Sequence, residues 1–244
     1  MKSTVIWTGL KMITEQFDSA EKLHEAVIKY GFLPFFENEI KGFSIEEHTP
    51  ADRWFTSVEG PWEWKGPVLR MGDVVYGKFF NNKAGYISLK WYPDFANFRR
   101  EGYDFDARID DGLKVDGADI NVYEELIRHD AILSKGLKKL TGYWGKDGKS
   151  GFESIITRLQ MQGYVLTADF EYELDKKGQP YGWGIARYST PEQMYGKSFV
   201  RKMYRRLPEE SYERMFRFLV KQYPAEGRKI AKLLGYKGKT VKIK

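Results

Sequence analysis

Gln160 and Gln162 place two carboxamides at the end of a helix-forming segment, with one residue, Met161, between them. A glutamine side chain carries both a donor and an acceptor, so it can hold a water molecule or the edge of a nucleic-acid base. It exchanges no proton at neutral pH, and its chemistry would therefore be the positioning of a reactant. The pair is a candidate catalytic site, with the structural ending of a helix as the alternative.

Helix geometry limits what the two glutamines can do together. Residues two apart on an α-helix point about 200° apart, so Gln160 and Gln162 converge on one point only if the helix ends between them. Gly163 favours such an ending. We nevertheless expect the two side chains to diverge, with at least one bonded to neighbouring backbone and a strand or loop covering the other.

Basic and small polar residues surround the pair and suggest a nucleic-acid-binding face. Such side chains reach phosphates and base edges in protein–DNA complexes. The acidic residues Asp169, Glu171 and Glu173 oppose this interpretation, because they would repel a nearby phosphate backbone. Gln162 is itself a candidate for binding nucleic acid, and the other candidates are Lys135, Lys138, Lys139, Lys146, Lys149, Ser154, Thr157, Arg158, Lys176 and Lys177. The candidate base-stacking residues are Trp62, Trp64 and Trp183.

The composition excludes several other kinds of site. There is no cysteine and there are only three histidines, far apart in the chain, so thiolate metal sites and disulfides are excluded and a histidine centre is not expected. The segment "YDFDARIDDG" is rich in aspartate, but Arg108 and Ile109 stand where a calcium loop needs an oxygen ligand and a glycine. We expect no metal and no cofactor, although Arg99, Arg100 and Arg108 could together bind a small anion.

The net charge of +6 is concentrated at one end of the chain. Residues 226–244 hold seven Lys or Arg and one Glu, which is +6 by themselves, so the rest is formally neutral. The charge is therefore a weak argument for nucleic acid. We find no apolar run long enough for a membrane span and no apolar leader, and we expect a cytoplasmic protein with no membrane partner.

Alternating residues after the glutamine pair predict a β-hairpin. Apolar side chains recur at every second position from Tyr164 to Leu174, "KKGQP" predicts a turn, and a second strand follows over 181–188. Two helices before residue 141 and a short one over 151–162 precede the hairpin. This order is that of a winged helix over 119–190, in which 151–162 would be the recognition helix.

The remaining segments predict helices and a second hairpin. A helix begins after Asp18 or Ser19 and stops at Gly31, and a Trp-rich helix leads to a hairpin around "NNKAG". The predicted fold class is α+β, mainly helical with small antiparallel β-hairpins and one or more winged-helix units. The predicted divisions of this compact body are 1–118, which could include a degenerate winged helix, 119–190, and the C-terminal helices and basic tail of 191–244.

Several motifs resemble a family of DNA-repair enzymes. A short helix ending in Gln–aliphatic–Gln resembles the catalytic motif of the AlkZ-like DNA glycosylases, and "GPWEWKGPVLRMGDVVYGKFF" is similar to a Trp-rich basic helix of those enzymes. The resemblance implies tandem winged helices, with Gln160 and Gln162 positioning the water that attacks C1′ of an alkylated nucleotide. The glycosylases are longer and carry this motif near the N-terminus, whereas here it lies past the middle of the chain.

A shorter branch, the AlkZ-related proteins, resembles this chain over roughly residues 17–225, through "YGKFFNNKAGYIS", "YDFDARIDDG" and "ITRLQMQGYVLTADF". We therefore expect a nucleic-acid-binding protein that is related to DNA glycosylases but does not catalyse, with duplex DNA as its partner. Two alternatives stay open. One is a DNA glycosylase that excises alkylated or cross-linked bases, and the other is a module that binds a protein or a small anion.

Overall fold

The computed structural model describes residues 12–55, 58–174, 176–178, 180–236 and 238, without the side chains of 180–183. These residues form an α+β fold in which helices pack around one antiparallel sheet, and the predicted α+β class is confirmed. The strands are β1 (Phe32–Pro34), β2 (Val74–Phe80), β3 (Lys83–Ser88), β4 (Ile132–Leu133), β5 (Leu166–Leu174) and β6 (Pro180–Ser189).

The α-helices lie before, between and after the strands along the chain. They are α1 (Ala20–Tyr30), α2 (Pro61–Arg70), α3 (Tyr92–Arg100), α4 (Phe105–Asp110), α5 (Gly117–Ile127), α6 (Ser134–Leu140), α7 (Phe152–Met161), α8 (Pro191–Tyr195), α9 (Lys197–Val200), α10 (Pro208–Gln222) and α11 (Gly227–Leu234). Local signals set many of these boundaries. Ser19 caps α1 by accepting a hydrogen bond from the amide of Lys22, and Gly31 follows its last residue.

The sheet joins the two predicted hairpins. Its strand order is β1-β3-β2-β5-β6-β4, and the two hairpins meet where Tyr76 of β2 pairs with Thr167 of β5. The edge strand β1 includes a proline, Pro34, which lies opposite Gly85 of β3. Proline is tolerated there because an edge strand leaves one side of its backbone unpaired.

The hairpin after the glutamine pair is confirmed. Strands β5 and β6 pair antiparallel from Leu166 opposite Ser189 to Leu174 opposite Pro180. Strand β5 begins two residues later than predicted, because Tyr164 closes the end of α7 instead. Phe170 of β5 is buried, and the side chain of Trp183, a candidate for base stacking, lies outside the described residues.

Two groups of buried side chains form the interior. The larger group lies among α1, α2, α3, α10, α11 and the strands of the first hairpin, and the smaller one lies among α5, α6 and α7. Strand β4 pairs with β6, so the smaller group is covered by a sheet continuous with the rest. The winged-helix interpretation of 119–190 and the three predicted divisions of the chain stay predictions.

Candidate functional site

Helix α7 ends at the glutamine pair through a glycine in the left-handed region. The amide of Gly163 donates to the carbonyl of Gln160 at 2.9 Å, and the amide of Tyr164 donates to the carbonyl of Leu159 at 2.9 Å. With φ of +77° at Gly163, these bonds form a Schellman motif. The last helical residue is Met161, so the helix does end between the two glutamines.

Two side chains of α3 hold this helix end in place. The hydroxyl of Tyr92 donates to the carbonyl of Gly163 at 2.8 Å, and Arg100 donates to the same oxygen from Nε at 3.2 Å and Nη2 at 2.6 Å. A carbonyl at the C-terminus of a helix carries partial negative charge, which a guanidinium stabilises. The position of Gln162, one residue earlier, is therefore set by α3.

The charge of Arg100 is balanced inside the fold. Its guanidinium is fully buried, forms an ion pair with Glu192 of α8, and lies 4.5 Å from the centre of the Tyr164 ring. Burial disfavours the charged form, but Glu192 keeps the pKa of Arg100 well above its ordinary value. The suggestion that Arg100 takes part in binding an external anion is therefore wrong, because its donors already have acceptors within the protein.

Gln160 joins α7 to two strands. It is 2% exposed, its oxygen accepts from the backbone amide of Lys78 at 3.1 Å, and its Nε2 donates to the hydroxyl of Thr167 at 3.1 Å. The pairing of β2 with β3 shifts register between Gly77 and Phe80. The Lys78 amide lies in this irregular stretch, and Gln160 supplies the acceptor that a buried amide requires.

The other two residues of the motif, Met161 and Gln162, have surroundings different from those of Gln160. The sulfur of Met161 accepts a weak hydrogen bond from the amide of Asn82 at 3.4 Å, in the turn between β2 and β3. Gln162 is half-buried and lines an open cleft. The predicted divergence of the glutamines is confirmed, as is the bond from one of them to neighbouring backbone. The expectation that a strand or loop covers the other is wrong, because the cleft is open at Gln162.

The cleft has a volume of about 1000 Å³ and lies between α7, the end of α3 and the start of α10. Helix α7 contributes Ser154, Thr157 and Arg158, and Gln162 follows directly after it; these are four of the residues proposed from the sequence to contact nucleic acid. A cavity of this size accommodates a nucleotide or another small ligand. Its opposite wall includes Phe98, Arg99, Glu101, Arg108, Glu209 and Tyr236.

The three arginines of the cleft differ in how their charge is balanced. Nε of Arg158 donates to the two oxygens of the buried Asp119 at 2.8 and 3.1 Å, and these bonds raise the pKa of Arg158. Arg108 donates to Glu101 at 2.6 Å. Arg99 forms no ion pair with any described residue, and burial lowers its pKa to about 10. Arg99 is therefore the least compensated of the three.

The predicted lysines lie on α6, on the loop after it and at the turn of the second hairpin, outside the cleft lining. Lys135 and Lys138 form ion pairs with Glu173 at 3.4 Å and Glu153 at 2.7 Å. These two are less available to a phosphate than the sequence suggested. The exposed members of the set are Lys139, Lys146, Lys149, Lys176 and Lys177.

Neither Trp62 nor Trp64, two of the residues proposed for stacking, is exposed. Trp64 is buried in the main core, and Trp62 packs against Phe35 with the ammonium of Lys65 over its ring. Trp144, which we did not propose, is 50% exposed in the loop between α6 and α7. Its sequence context, "YWGKDGK", combines a tryptophan with glycines and lysines and could have identified it.

Two kinds of feature are absent from the described residues. No group of three or more histidine or acidic side chains is arranged there to hold a metal ion. Within the same residues, no helix has the length and apolar character needed to cross a membrane.

Comparison with known proteins identifies the family. The family described as AlkZ related matches residues 17–235, which include the whole of α7 and nearly all of the cleft lining. The chain belongs to the AlkZ-related family. No curated protein and no solved structure matches it. The resemblance inferred from the sequence motifs is thereby confirmed, and the fold described above is that of an AlkZ-related protein.

For this AlkZ-related protein we expect Gln160→Leu to lower the free energy of unfolding by about 1–3 kcal/mol, because it leaves a buried amide and a buried hydroxyl unsatisfied. Urea denaturation followed by circular dichroism measures the change. Gln162→Leu is the matched control and should change stability by less than about 0.5 kcal/mol, since Gln162 lines an open cleft. Equal stabilities for the two variants would contradict the structural role of Gln160.

Proposed function

We propose that this chain binds nucleic acid, with duplex DNA as the first candidate, along α7 and its cleft, and that it excises no base. The observation that carries the proposal is that Ser154, Thr157, Arg158 and Gln162 line one open cleft of nucleotide size, whereas Gln160 is turned into the sheet. The relation to DNA glycosylases that the AlkZ-related family implies supports the same choice of ligand.

The face around the cleft has groups for both kinds of DNA contact. Lys139, Lys146 and Lys149 are exposed, and no described carboxylate lies within 4.0 Å of their ammonium groups. They can neutralise phosphates, which supplies affinity without sequence selectivity. Arg158, which is oriented by Asp119, offers N–H donors to a base edge. Gln162 offers both a donor and an acceptor.

The order of elements from α5 to β6 supports a winged-helix interpretation of this face. Two helices, a short strand between them, the helix α7 and a hairpin follow one another, and the short strand β4 pairs with β6. In this interpretation α7 is the recognition helix, and the loop carrying Lys146 and Lys149 precedes it. Recognition helices present their first turns to the bases, and Ser154 lies there.

The hydrogen bonds of Gln160 inside the fold are an argument against base excision. Activation of a water by a pair of carboxamides needs both groups near one point beside the sugar. Gln160 instead makes bonds to Lys78 and Thr167 inside the fold, and no described cavity includes it. Gln162 alone faces the cleft and lacks the second carboxamide that the glycosylase motif uses.

The proposal is tested by binding and excision assays on the same preparations. Duplex DNA with and without an alkylated purine is incubated with the wild type, Gln160→Ala and Gln162→Ala. We expect binding by all three folded proteins, a several-fold weaker complex for Gln162→Ala only, and no abasic product from any.

Each alternative gives a different result in these assays. Excision by the wild type that either glutamine substitution abolishes would overturn the non-catalytic proposal and indicate a glycosylase. Absence of DNA binding even at low salt would overturn the nucleic-acid proposal and favour a module for proteins or small anions.

A further inference from the structure

Arg99 stands out among the arginines near the cleft because the fold does not compensate its charge. Its Nη2 donates to the carbonyl of Phe79 at 3.1 Å and its guanidinium lies 5.2 Å from the centre of the Phe95 ring, while its Nε is buried and has no hydrogen-bond partner in the described chain. Arg100, the next residue, has Glu192, and Arg158 has Asp119. No described carboxylate lies within 4.0 Å of the Arg99 guanidinium.

An unbalanced cation in a partly buried position is costly. Removal of charge from water is repaid only by a counter-charge or by a full set of hydrogen bonds. One carbonyl meets a small part of this need, since a guanidinium has five N–H donors. The cleft that Arg99 lines is the open space from which an anion could supply the rest.

The neighbouring residues leave room for the guanidinium and place an aromatic wall beside it. Gly235 has φ of +79°, a conformation that favours glycine, and a Cβ there would clash with Nη1 of Arg99, so the guanidinium packs directly against this glycine. The ring of Tyr236 stacks on that of Tyr212, with ring centres 4.1 Å apart and planes at 10°. Tyr236 also lines the cleft.

We propose that Arg99 is a phosphate-binding subsite of the cleft and that Tyr236 contacts the sugar or base of the same nucleotide. This inference rests on the proposed function and names its ligand at this site as a nucleotide phosphate. A guanidinium binds two oxygens of a phosphate through parallel N–H donors, and the anion supplies the missing counter-charge. The phosphate is either a diester within a strand or a monoester at a strand end.

The test measures small ligands, so that it is independent of duplex binding. The wild type, Arg99→Gln and Arg217→Gln are titrated with inorganic phosphate, a nucleoside, its 5′-monophosphate and a dinucleotide without terminal phosphate. Arg217 is an exposed control on α10, paired with Glu213. We expect the monophosphate to bind at least 10-fold more tightly than the nucleoside, with Arg99→Gln removing that advantage and Arg217→Gln retaining it. A similar gain for the dinucleotide identifies a diester site, and its absence identifies a monoester site.

Thermal unfolding separates a binding role from a structural one. Arg99→Gln removes the hydrogen bond to the Phe79 carbonyl but also removes an uncompensated charge, so this variant should leave the melting temperature nearly unchanged. Added phosphate should raise the melting temperature of the wild type but not of Arg99→Gln. A lower melting temperature of the variant together with unchanged phosphate binding would overturn the subsite. If duplex DNA still binds the wild type in that case, the subsite alone fails and the proposed function stands.

Discussion

Replacement of Arg100 by methionine is expected to lower the free energy of unfolding by about 3–5 kcal/mol, the usual cost of breaking a buried ion pair from one side. The substitution leaves Glu192 without its counter-charge and removes two donors from the carbonyl of Gly163. Urea denaturation of the purified variant at neutral pH measures the loss. The end of α7 should also become more mobile, since α3 contacts it through the carbonyl of Gly163.

Two further variants make this expectation specific. Arg217→Met removes an arginine whose side chain is 74% exposed, and it should change stability by less than about 0.5 kcal/mol. Arg100→Lys keeps the charge but loses the two-pronged contact to Glu192, so it should lie between the wild type and the methionine variant. A loss below about 1 kcal/mol for Arg100→Met would contradict the role of Arg100 as the anchor of this helix end.

Neutralisation of Lys139, Lys146 and Lys149 together by glutamine is expected to weaken duplex DNA binding by roughly 10²-fold at 0.1 M salt. Each lysine that contacts a phosphate releases a counterion, so the slope of log K against log salt should become shallower by about two to three. Fluorescence anisotropy over a range of salt concentrations measures both quantities. Because the three side chains are exposed, stability should change little.

The control for this triple variant carries the same change in net charge at other places. Lys22 on α1, Lys41 in the loop after β1 and Lys221 on α10 are all exposed and can be replaced by glutamine together. Binding by this control should stay within a few-fold of the wild type. An equal loss in both variants would mean that overall charge, rather than the face beside α7, attracts the DNA.

The arginines of this fold differ in whether their charge is paired inside the protein or available to a ligand. Arg100 and Arg99 are neighbours in sequence, yet one has the carboxylate of Glu192 and the other has only a carbonyl and the face of an aromatic ring. Arg158 lies between these cases, because Asp119 orients it while its side chain stays 40% exposed to the cleft. Full burial together with an internal carboxylate therefore distinguishes the anchor Arg100 from the candidate binding groups, which line the cleft.

The sequence by itself determined the elements that depend on neighbouring residues. Strict alternation predicted the hairpin of β5 and β6, and capping residues predicted the limits of α1, because both signals act within a few residues. The spacing of Ser154, Thr157, Arg158 and Gln162 likewise puts them on one side of a helix, at intervals of three or four residues. Their common position on the cleft was therefore within reach of sequence reasoning.

Only the tertiary structure decided which glutamine and which arginine face the cleft. Gln160 turns inward because a register shift in β2 leaves the Lys78 amide without a regular place in the sheet, 82 residues away in sequence. Arg99 and Arg100 are separated by the packing of α3, which brings Glu192 to one of them and the open cleft to the other. These contacts join residues far apart in the chain, and local periodicity carries no information about such partners.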